Sequence, residues 1–149
     1  MSTKQTVFRV NGEEYGLDIM DVSTVEKDLK IIKLSNTPVF KNVKGKTNLR
    51  GEEIPVYSLR RKFGYEDKEV DDETRYLITN VNGKNIAIEV DNVKGINDIQ
   101  LSDIYEVPSI IKCNRTSYVK SIADVDDSLV VILDTNNILD KEETKALQA

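Results

Sequence analysis

From Glu13 the chain alternates: Tyr15, Leu17 and Ile19 fall on one face, Gly16 and Asp18 on the other. The same alternation returns 71 positions later, with Ile86, Ile88 and Val90 against Ala87 and Glu89. An Asn-Gly pair precedes each run, Asn11-Gly12 and Asn82-Gly83. Asn-Gly between apolar runs is the strongest short-range hairpin signal, because a type I′ turn needs positive φ at both central residues. A period of two is that of a half-buried strand. The two copies run from Asn11 to Val25 and from Asn82 to Ile96, so a β unit is duplicated. Farther on, Ile54–Leu59 has a counterpart in Val130–Asp134, offset by about 76, with the extra spacing around 98–118. A half of about 60–70 residues would bury only roughly 60% of its unfolded surface. Two small barrels or sandwiches sharing one apolar seam are therefore expected, neither stable when excised.

Strands are expected near 5–10, 13–19, through Val25, 30–34, 44–48, 53–57, 75–81, 84–90, 93–98, 118–123 and 129–133. A tight bend carries Asp21 and Val22. Thr37 and Pro38 suit the cap and first position of a helix. A helical turn is expected at Leu59–Phe63, an exposed acidic loop from Glu66 to Thr74, and a brief helix capped by Asp134 through Leu139. Residues 141–149 read as a helix or a frayed tail.

Composition narrows the chemistry. The 149 residues are 39% hydrophobic and 32% charged, as in an ordinary globular protein. No apolar run approaches the ~20 residues that span a bilayer, so direct membrane insertion is not expected. The net charge of −5 argues against nucleic acid, which demands a concentrated basic surface. Aromatic residues are only 6%, too few for base-stacking platforms. A single cysteine, Cys113, makes no internal disulfide and fits a reducing cytoplasm. Asn114-Arg115-Thr116 matches a glycosylation acceptor without an export signal to give it meaning.

Histidine is absent. That removes Ser-His and Cys-His nucleophiles and imidazole metal ligands, and one cysteine builds no structural zinc site. Neither a Walker A loop nor a dinucleotide-binding glycine turn is present. No cofactor, metal or catalytic residue is expected. Four adjacent acid pairs remain: Glu13-Glu14, Glu52-Glu53, Asp71-Asp72 and Asp126-Asp127. Three sit at expected turns and read as solvated loop charge. A carboxylate enzyme with an unrecognised site, or another small-barrel protein-binding module, is the alternative reading.

The stretch Asn48-Leu49-Arg50-Gly51-Glu52-Glu53-Ile54-Pro55-Val56-Tyr57-Ser58-Leu59-Arg60 resembles the signature of the CheW family of bacterial chemotaxis coupling proteins. Glu14–Ile19 with Val22 is similar to the family's second strand and bend, and Val90-Asp91-Asn92-Val93 to its Val-Asp-x-Val. Leu133-Asp134 with Ile138-Leu139 resembles its closing strand and helix. The resemblance implies an all-β fold of two intertwined SH3-like five-stranded β-barrels, with short helical turns and a C-terminal helix. It implies one CheW-like domain over 1–149, with subdomains at about 10–70 and at 71–139 with the N-terminal strand added, and a helix or tail at 140–149. The length suits a stand-alone coupling protein, with no residues left for a kinase domain, as in CheA, or a receiver domain, as in CheV.

The implied function is a non-catalytic, cytoplasmic adaptor, recruited to membrane-associated receptor arrays. Its partners would be the regulatory domain of the histidine kinase CheA and the cytoplasmic tips of chemoreceptors. On this resemblance Arg50 serves partner binding, where a planar guanidinium can make two hydrogen bonds. Val22 and Val93, with Ile96, would form the walls of an apolar groove for a receptor helix. Val25, Leu29, Ile31 and Leu34 would offer a β-edge surface to the kinase, with Gly45 beside it. There are departures from the family pattern. About two extra residues lie between Pro38 and Gly45, Lys46 replaces an apolar residue, Glu52-Glu53 is unusually acidic, and Ser58 stands for a common Asp.

Overall fold

The computed structural model describes residues 1–33, 41–107 and 117–148. Its strands are β1 (Ser2–Val10), β2 (Glu13–Asp18), β3 (Val22–Glu26), β4 (Val43–Leu49), β5 (Glu52–Ser58), β6 (Arg75–Val81), β7 (Lys84–Val90), β8 (Asn92–Gln100), β9 (Ile104–Glu106), β10 (Val119–Val125) and β11 (Ser128–Leu133). Among the described residues are two α-helices, α1 (Leu59–Lys62) and α2 (Lys141–Gln148). The all-β expectation holds, with two sheets ordered β8-β1-β2-β11-β10-β9 and β3-β6-β7-β5-β4.

Each sheet takes a hairpin from one repeat and the remaining strands from the other. Hairpin β1–β2 sits between β8 and β11, and hairpin β6–β7 between β3 and β5. The pairing registers repeat with the offsets of the sequence. Val22 faces Thr79 and, 71 positions on, Val93 faces Phe8. Val56 lies parallel to Ala87, as Ile132 does to Gly16. Val43 faces Tyr57, as Val119 faces Leu133, and both ladders bulge at the next step. The four tight turns repeat as well: Asn11-Gly12, Asn82-Gly83, Arg50-Gly51 and Asp126-Asp127 all have positive φ at both residues.

The exchange corrects the reading of β2 and β7 as half-buried. Tyr15, Leu17, Ile86, Ile88 and Val90 join Phe8, Tyr57, Leu77 and Leu133 in one central cluster shared by the two sheets. Their small neighbours point the other way, into a private cluster of each sheet. Ala87 packs with Ile54, Val56, Tyr76 and Ile78. Gly16 lies against Val130, beside the cluster of Val7, Ile99, Ala123 and Ile132. Apolar and small positions thus alternate because both faces are interior, one in the seam and one inside a sheet.

Other expectations need adjustment. The strand near 30–34 is only a bridge between Ile32 and Lys46. Leu101–Asp103 form a 3-10 turn leading into β9, which gives the first sheet a sixth strand. The Asp134-capped element is a 3-10 turn, Thr135–Asn137. The Thr37-Pro38 helix start, Leu34, Cys113 and the Asn114 triplet lie outside the described residues. The C-terminal segment is helical, and its Glu143 is 4% exposed. That carboxylate accepts from the Tyr57 hydroxyl at 2.9 Å and from Asn42 Nδ2 at 3.2 Å. With Asp140 it forms reciprocal capping bonds, Asp140 N–H to Glu143 Oε1 and Glu143 N–H to Asp140 Oδ1.

Because β1–β2 has its flanking strands in the second half of the chain, fragments 1–70 and 71–149 should each be unstructured alone. A full chain nicked within the exposed Glu66–Thr74 loop should keep its circular dichroism. A folded, monomeric 1–70 fragment would contradict the exchange.

Candidate functional site

The two points where the chain leaves one sheet for the other lie between β2 and β3 and between β7 and β8. The first crossing takes three residues, Ile19, Met20 and Asp21; the second takes Asp91 alone. Each delivers a valine, Val22 or Val93, onto the central cluster, where both are half-buried. Val93 also lines a surface depression of about 320 Å³, with Arg9, Glu73, Arg75, Asn92 and Lys94 around it. Val93 is its one apolar lining residue, and three of the other five, Arg9, Arg75 and Lys94, are basic. Ile96 stands farther along β8 with its side chain 68% exposed.

Hydrogen bonds hold the crossings. Arg60, in α1, donates to Asp91 through Nε at 2.8 Å and Nη2 at 2.7 Å, a two-pronged ion pair. Its Nη1 reaches the Glu66 carbonyl, and Asp91 also accepts the Asn11 backbone N–H at 2.8 Å. Burial pushes the Asp91 carboxyl up, but the Arg60 and Asn11 hydrogen bonds outweigh it and hold the group below the usual carboxylate range. The other crossing is tied by Thr135 Oγ1, which donates to Asp21 at 2.8 Å. Met20, beside it, is 87% exposed.

Arg50 is elsewhere, at the tip of the β4–β5 hairpin. Its side chain is 67% exposed, with Nη2 3.5 Å from Glu26 Oε2. It holds φ of 52°, where the matching turn residues are Asn11, Asn82 and Asp126. Asn and Asp tolerate the left-handed region; a longer side chain there costs about 1–2 kcal/mol. Arg50 occupies the turn at that cost.

The kinase-side candidates divide. Val25 is exposed on the edge strand β3, whereas Leu29 and Ile31 pack against the private cluster of their sheet. Gly45 is buried. A Cβ there would lie 2.2 Å from the Ile32 carbonyl oxygen and 2.8 Å from Ile31 Cγ2. Its role is to let the Ile31–Ile32 segment lie flat on β4. Two of the departures from the family pattern meet each other, Lys46 pairing with Glu53 at 2.9 Å, and a third, Ser58, caps α1 by accepting the Arg61 N–H. The adjacent acids are spread among separate partners: Glu14 with Arg9 and Lys94, Asp71 with Lys68. The Arg60–Asp91 pair escaped sequence reasoning although both residues stood in quoted motifs, because no spacing rule relates positions 31 apart.

A family model described as "CheW-like domain" matches residues 5–143. The chain is 29% identical over 143 residues to "Chemotaxis protein CheW" of Bacillus subtilis, covering 96% of this chain and 90% of that protein. It is 31% identical over 135 residues to the protein of the same name from Helicobacter pylori, covering 91% and 80%. Its fold is similar to the scaffolding protein TtCheW of Thermoanaerobacter tengcongensis, with TM-score 0.85, 32% identity and 96% of both chains covered. The protein belongs to the CheW-like family.

The lowered Asp91 value sets an acid limit. A carboxyl depressed in the fold contributes stability that is complete above the unfolded value of 3.8 and is lost as pH falls through its folded value. Acid denaturation below pH 3.8 should therefore be shallower in Asp91→Asn than in wild type, read by circular dichroism. Parallel acid limbs would mean the pair contributes nothing.

Proposed function

We propose that the protein is a non-catalytic chemotaxis adaptor that couples receptors to the histidine kinase CheA. It acts in the cytoplasm and joins receptor arrays through its partners, without entering the membrane. The match to the CheW-like family over residues 5–143 carries this reading. The seam side, Val22 and Val93 with Ile96 alongside, grips one helix of the receptor's cytoplasmic tip. A half-buried valine among three basic side chains suits a helix that carries acids beside its apolar stripe. The edge of the other sheet meets the kinase regulatory domain through Val25, with Leu29 and Ile31 shaping the surface and Gly45 supporting it from below. Arg50 extends from the hairpin tip as a polar anchor for a partner.

The strain at position 50 provides the discriminating experiment. Arg50→Asn should leave the melting temperature unchanged or raise it, since Asn tolerates the turn. The same change should weaken partner binding by about 1–2 kcal/mol, tenfold or more. Val22→Asp should abolish binding to a receptor-tip fragment while the far-ultraviolet spectrum stays native. Affinities for the tip and for the kinase regulatory domain, measured beside melting, check both. Arg50→Asn with both affinities at wild-type level would remove Arg50 from the interface.

A further inference from the structure

The repeat makes the Arg60–Asp91 pair conspicuous by what stands at the matching positions. Seventy-one residues before Asp91 the first crossing has the exposed Met20. Seventy-six residues after Arg60 the second half has Asn136, which reaches the Asn82 turn by hydrogen bonds of 3.3 and 3.5 Å. In one half, then, the residue after the last strand holds a hairpin turn by weak neutral bonds. In the other it holds a hairpin turn and a crossing together, through a charged fork with 2.7–2.8 Å bonds. The fold tolerates the weaker device at one end, so folding alone does not call for the charged one. Asp91 stands two residues before Val93 and its backbone N–H donates to the Arg9 carbonyl at 3.0 Å, so it is anchored at both ends. The side chains are only 16% and 13% exposed, which leaves the fork inward of the surface a partner would touch.

We infer that Arg60 and Asp91 are positioning residues for partner binding: the fork holds Val93 and its basic-rimmed depression in the place from which the receptor tip is gripped. The inference rests on the receptor reading of Val93. The first crossing is tied instead by the single Thr135–Asp21 side-chain hydrogen bond at 2.8 Å, with the unbranched Met20 exposed beside it.

The test measures affinity for a receptor-tip fragment and for the kinase regulatory domain, using the full chain. Asp91→Asn should lower receptor-tip affinity about tenfold and leave kinase affinity within about twofold, the fold-change expected for losing a pre-set contact. Arg60→Lys keeps the charge without the fork and should give a smaller loss of the same selectivity; it carries the test if Asp91→Asn does not fold. Ile54→Val, in the private cluster of the other sheet, serves as a control for lost stability and should leave both affinities unchanged. Equal loss of the two affinities, or an equal loss in Ile54→Val at the same melting temperature, would reduce the fork to a stability element and overturn the inference. So would unchanged receptor affinity in Asp91→Asn when Val93→Asp abolishes it. If Val93→Asp binds the tip normally, the receptor reading itself fails and takes the inference with it.

Discussion

The central cluster forces everything else. Both faces of β2 and β7 are buried because each lies between a seam and a sheet interior, and neither sheet can be assembled from one repeat. Exchanging hairpins makes the two halves one unit: the strands that flank β1–β2 are encoded more than 70 residues away in the second half, and those that flank β6–β7 belong to the first. Apolar burial at the seam thereby stabilises the only arrangement in which both ladders are complete. The crossings inherit their rigidity from it. Val22 and Val93 sit at the surface end of the cluster because each is the first residue to be paired, or nearly so, after its chain changes sheets.

Much of this was legible in the sequence because it depends on local rules. Asn-Gly turns, alternation and the two offsets, 71 and 76, located ten of the strands and matched the registers residue for residue. The short β9 was missed, since three residues are too few to establish a period. The exchange was implied by the family resemblance, as intertwined barrels, and not by the residues alone. Offsets say which segments are equivalent, but a hairpin placed in its own half or in the other presents the same alternation. Small residues at Gly16 and Ala87 were the available clue, for a strand with a solvent face has no need of them.

Site residues followed the same division. The placement of the candidates Val22, Arg50 and Val93 in bends and turns was legible because the motifs surround them. The burial of Gly45 was not legible because a glycine that admits a neighbouring backbone and one that admits a partner look alike in sequence. Arg60, Asp91 and Glu143 act across gaps of 31 to 101 residues. Only the fold brings their partners within reach. Glu143 in particular reads as helix-surface charge, yet it satisfies the hydroxyl of fully buried Tyr57, where the matching strand has Leu133.

An adaptor that presents one surface at the crossings and another on a sheet edge must hold both partners together. The most direct measurement is the affinity for a receptor-tip fragment with and without saturating kinase regulatory domain, alongside the mass of the mixture by light scattering. The account predicts a ternary complex, with the two affinities either independent or mutually reinforced. Strict competition, each partner displacing the other with no ternary species, would contradict it.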